Sequence, residues 1–129
     1  MVTRYVDVPR YRWGVLVMYD IDVSEDGEDL YAIMRSFGMK IRDVERSLRI
    51  LATLNSGMAL TQDDLRMSCI FIGRASEPSQ FWNTLSHEIK HVTDAIVAYY
   101  DLPCDGEDAA MLDGYIMQEC VEKLSEPCY

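Results

Sequence analysis

Along this chain, apolar positions recur first at strand spacing and then at helical spacing. From Arg12 to Ile21 the run RWGVLVMYDI is apolar and rich in β-formers, which predicts a strand. The residues before it, Met1 to Arg12, are strand-like but charged. Ser24 to Gly27 reads as a turn. Glu28 to Phe37 then places Leu30, Ile33, Met34 and Phe37 on one side of a helix, with Gly38 as its stop. Ile41 to Leu54 repeats the pattern with Ile41, Val44, Leu48 and Leu51, and Asn55-Ser56-Gly57 ends it. Two further strands, Gly57 to Thr61 and Arg66 to Gly73, flank Gln62-Asp63-Asp64 and predict a hairpin. Ser76 or Ser79 can cap a helix from about Gln80 to Tyr100, with Pro78 tolerated in its first turn. Pro103 stops that helix. Asp105 can cap a last one from Glu107 to Leu124. The order is strand, two helices, two strands, two helices. It predicts a single α+β domain over residues 1–129, without an internal repeat.

The penultimate helix changes the picture. It holds both histidines of the chain, in the string His87-Glu88-Ile89-Lys90-His91. Two histidines placed at random over this length fall four apart about once in 66 trials, so H-E-x-x-H is a specific signal. Residues four apart on a helix lie about 40° apart around the axis. Two imidazoles so placed can share a metal ion, and the glutamate between them can take a proton from water that the metal activates. Leu85, Ile89, Val92 and Ile96 form the core stripe of the same helix, and the histidines point nearly opposite to it. The bland alternative is an ordinary amphipathic helix with two surface histidines.

A zinc site needs a third protein ligand and an open position. Both histidines are already used, which leaves carboxylates and thiols. Asp94 shares the histidine face, but one helix supplying three ligands strains a tetrahedron, and orienting an imidazole suits it better. Cys104 lies in the following loop. Glu107 opens the last helix, which can fold back antiparallel; the bland reading of Glu107 is a first-turn acid favoured by the helix dipole.

Composition narrows the rest. The net charge of −10 opposes nucleic-acid binding. The densest basic stretch, Lys40 to Arg49, also holds Asp43 and Glu45 and reads as a solvated helix face. No apolar run reaches the ~18–20 residues that span a bilayer, and the N-terminus does not read as a secretory signal. Cys69, Cys104, Cys120 and Cys128 form no C-x-x-C, which predicts free thiols in a reducing cytoplasm.

The stretch Thr84-Leu85-Ser86-His87-Glu88-Ile89-Lys90-His91, followed by Glu107-Asp108-Ala109-Ala110-Met111-Leu112-Asp113-Gly114-Tyr115, resembles the zincin metallopeptidases. It is similar in particular to the short gluzincin-like proteins of bacteriophages and prophages, which pair T-x-x-H-E-x-x-H with E-x-x-A-x-L-x-G-Y. Met111 departs from that pattern, standing where an aromatic is frequent. The resemblance implies a small zincin-like domain with a mostly antiparallel or mixed sheet, an active-site helix and a C-terminal ligand helix. It further implies one zinc ion per chain held by His87, His91 and Glu107, with Glu88 as general base in peptide-bond hydrolysis. Gly57 to Thr61 would be the edge strand that holds a peptide or protein substrate. An oxyanion donor would fall to Tyr99, Tyr100 or Tyr115, each of which also reads as a packing residue. The alternative function is a zinc-binding module without significant turnover, acting in assembly or interaction.

Overall fold

The computed structural model describes residues 1–124. The fourth cysteine, Cys128, lies outside them. The chain begins with a strand, β1 (Val2–Val8), which pairs antiparallel with β2 (Trp13–Tyr19). Helices α1 (Val23–Ser36) and α2 (Ile41–Leu51) follow, and then a second hairpin of β3 (Gly57–Gln62) and β4 (Met67–Ile72). Helices α3 (Pro78–Tyr99) and α4 (Glu107–Lys123) complete the described chain.

The sheet order is β1-β2-β4-β3, and the central pair β2 and β4 runs parallel. These two strands are covered on both faces, which is why they read as nearly continuous apolar runs. In β2, Val15, Val17 and Tyr19 pack toward α3 and α4, whereas Leu16 and Met18 pack toward α1 and α2. In β4, Ile70 and Ile72 take the first face, and Cys69 and Phe71 the second. The result is three layers, with a mixed sheet between two helix pairs.

The α+β expectation therefore stands at the level of class, with the strand-like N-terminus added to the expected order. The charged N-terminus is a full strand, because Val6 and Val8 alternate inward while Asp7 stays exposed. The backbone also repeats a ββαα unit that the side chains do not announce. Both hairpins turn through a short 3-10 segment, Pro9–Tyr11 and Asp63–Leu65, and each closes on an arginine in the left-handed region, Arg12 (φ 52°) and Arg66 (φ 50°).

Helix boundaries shift for local reasons. The carboxylate of Asp22 accepts from Ser24 N at 3.0 Å, and Asp22 N donates back to Asp26 Oδ2 at 2.9 Å. That reciprocal cap starts α1 at Val23, so Ser24 to Gly27 is helix and not turn. Ser76 does not cap α3, since it is held by Asn55 instead. Asp105 does not cap α4, where Gly106 occupies that position without a side-chain bond.

Candidate metal centre

Helix α3 lies over β3 and β4 with Leu85, Ile89, Val92 and Ile96 buried beneath it. His87 and His91 stand on the opposite side and are exposed, as the helical wheel requires. Their Nε2 atoms are 3.2 Å apart and their rings meet edge to face at 82°. Ligands about 2.0–2.1 Å from a zinc ion in a tetrahedron stand roughly 3.3 Å from one another, so the imidazole pair fits the edge of such a site. A hydrogen bond between two neutral imidazoles has the same length. The pair alone therefore does not distinguish a metal site from a surface contact.

Glu88 adds the discriminating feature. Its residue exposure is only 4%. Its Oε2 has no hydrogen-bond partner, and Oε1 lies 4.0 Å from His87 Nε2. Burying a carboxylate oxygen without a hydrogen bond is costly, and a water or ion held by the neighbouring imidazoles would satisfy it. Burial raises its pKa above the ordinary carboxylate value, while charge on His87 and His91 opposes the rise. The ligating atoms of His87, Glu88 and His91 all lie within 4.8 Å of one another.

The other sequence candidates are placed elsewhere. Glu107, expected as the third ligand, is exposed in the first turn of α4 and is not part of this group. The physical reason is the flank from which α4 meets α3. Lys90 Nζ donates to the Cys104 carbonyl at 3.2 Å and lies 4.0 Å from Asp113 Oδ2, so α4 sits beside Lys90. On the α4 wheel Glu107 falls about 120° from Asp113, turned away from α3. Asp94 pairs with Lys90 at 2.9 Å rather than with an imidazole. Cys104 is exposed and contributes its carbonyl. The three tyrosines pack: Tyr99 lies edge-on to Trp13, Tyr100 donates to the Tyr11 carbonyl, and Tyr115 donates to the Asp7 carbonyl at 2.8 Å.

Strand β3 flanks α3 on the Glu88 side. A Cβ on Gly57 would stand 2.6 Å from Thr84 Cγ2 and 3.1 Å from Glu88 Cγ, so only glycine lets the strand approach this closely. β3 is an edge strand, and its sequence GMALTQ carries no charge. Edge strands are ordinarily protected by charge or cover. The opposite edge, β1, has both, in Arg4 and Asp7 and in the tyrosine hydroxyl of α4 on the Asp7 carbonyl. Between β3 and α3 a recess of about 300 Å³ is lined by Asn55, Gly57, Asn83, Thr84, His87 and Glu88. Asn83 had no sequence signal, and Asn55 read only as part of the Asn55-Ser56-Gly57 helix end. Gly57 did have one, as an isolated glycine opening a strand.

Compared with protein-family models, curated proteins and solved structures, the chain has no match.

Proposed function

We propose that this protein is a zinc-dependent peptide hydrolase in which His87 and His91 hold the metal and Glu88 is the general base. The observation that carries the reading is the buried carboxylate of Glu88, whose Oε2 has no hydrogen-bond partner, beside two imidazoles whose Nε2 atoms are 3.2 Å apart. A zinc ion, when bound, supplies a Lewis acid that polarises a carbonyl and makes water acidic near neutral pH. Glu88 takes the proton of the attacking water and returns it to the leaving amine. The unpaired backbone of β3 holds the substrate as an added strand beside the helix, which orients the scissile bond without requiring a deep cleft.

The test is cleavage of a degenerate peptide library by zinc-reconstituted wild type and Glu88→Gln. Wild type should cleave, and the variant should lose activity by about 100-fold or more while keeping zinc. Equal activity in both, or none in either, counts against the enzyme reading.

A second reading is a zinc-binding interaction module. It is favoured by one observation: among the described residues, no histidine, cysteine or carboxylate beyond Glu88 joins the two histidines. A ligand from another protein would then complete the coordination. Zinc-dependent association at micromolar concentration, with no cleavage by wild type, would select this reading.

A further inference from the structure

The recess beside Glu88 differs from an apolar specificity pocket, and its walls have unequal freedom. Asn55 is fixed. Its Oδ1 accepts from Ser76 N at 2.9 Å, and its Nδ2 donates to Ser76 Oγ at 3.1 Å. Its backbone N–H is also committed, to the Arg74 carbonyl at 2.8 Å. Asn83 projects from α3 one turn before His87 and is exposed, and its carboxamide is not engaged by any described residue. Thr84 turns its methyl to Gly57. Apart from Glu88 and the imidazole of His87, the lining is neutral and polar.

We propose that this recess is a substrate subsite for a neutral hydrogen-bonding side chain, an amide or a hydroxyl, and that Asn83 reads it. The inference rests on the peptide-hydrolase reading and names the substrate class for that same site. A volume of about 300 Å³ lies at the small end of ligand pockets and suits one side chain. The Asn83 carboxamide offers two donors and one acceptor, so it satisfies an amide or hydroxyl partner in either orientation. A leucine or phenylalanine entering the recess would desolvate that carboxamide without replacing its hydrogen bonds. The preference comes from hydrogen bonds that an apolar side chain cannot return. The subsite lies where β3 begins and where Glu88 is buried, so the side chain it selects belongs to a residue beside the scissile bond.

Two measurements test it. Zinc-loaded wild type and Asn83→Leu are each given a degenerate peptide library, and the cleaved positions are read by mass spectrometry. The expected result is at least tenfold enrichment of Asn, Gln, Ser or Thr at one position next to the cut, lost or shifted to apolar residues in Asn83→Leu. Cleavage without that enrichment, or with enrichment unchanged in Asn83→Leu, overturns the subsite and leaves the hydrolase reading standing. If wild type cleaves nothing, the hydrolase reading fails, and the subsite is judged by binding. Amide NMR titrations of metal-free protein with acetyl-Ala-Asn-Ala-amide and acetyl-Ala-Leu-Ala-amide should then move Gly57, Asn83 and Thr84 only for the first. Equal shifts for both peptides, shifts retained in Asn83→Leu, or no shifts for either overturn the subsite. Asn83 is exposed, so the variant should fold, and its zinc stoichiometry checks this directly.

Discussion

Gly57 and Thr84 approach so closely that a Cβ on Gly57 would stand 2.6 Å from the Thr84 methyl. This contact seats the edge strand against the helix that carries both histidines. Gly57→Ala should therefore destabilise the protein by about 1–3 kcal/mol through overpacking. The same substitution in a Thr84→Ser background, which removes the obstructing methyl, should recover part of the loss. Urea denaturation of the two single variants and the double variant checks this. Additive losses would mean the contact is not what fixes the strand.

Glu88 should be a liability in the metal-free protein. Its folded pKa is raised by burial above the ordinary 4.5, so the folded state binds this proton more tightly than the unfolded one. Stability is accordingly lost as pH rises from the ordinary value through the raised one. Glu88→Gln should stabilise metal-free protein once the pH exceeds the raised pKa, because the amide carries no charge to desolvate. The difference should shrink below pH 4.5, where Glu88 is protonated in both states. Thermal denaturation across pH, in chelator, measures it. A destabilised variant at neutral pH would show that the carboxylate has a partner.

The described cysteines should react unequally. Cys69 and Cys120 are buried, and burial pushes both thiols up to about 12. Cys104 is exposed in the connection before α4. At pH 8, iodoacetamide should modify Cys104 in the native protein and spare Cys69 and Cys120 until denaturant is added. Peptide mapping after brief labelling decides the order. Native labelling of Cys69 would contradict its place between the sheet and the α1–α2 layer.

Helix α3 was legible because its signals are local: a core stripe every three or four residues and two histidines opposite it. The second hairpin was legible for the same reason, since Gln62-Asp63-Asp64 separates two short β-rich runs. Layering was not. Whether β2 pairs with β4, and which face each helix pair covers, depends on contacts between residues about 50 apart, such as Val17 with Ile70. The same limit explains Glu107. Spacing placed α4 antiparallel to α3, but rotation about its own axis is set by Leu112 and Ile116 entering the core and by Lys90 reaching the Cys104 carbonyl. Asn83 was missed because it acquires meaning only where β3 runs beside it.

Placement of Glu107 outside the imidazole group has a direct consequence. Glu107→Ala should bind zinc as wild type does, within about twofold, whereas loss even of a group that orients a ligand would weaken binding by about 10-fold or more. Competition against a chromogenic chelator gives the ratio. A large loss in Glu107→Ala would mean that α4 rotates on metal binding to bring this carboxylate to the histidines.

Whether His87 and His91 together form a metal site is decided by calorimetric zinc titration of chelator-treated wild type, His87→Ala and His91→Ala. A site formed by the pair should take up one zinc ion per wild-type chain and lose that binding in each histidine variant. No binding by wild type, or equal binding by all three proteins, would contradict it.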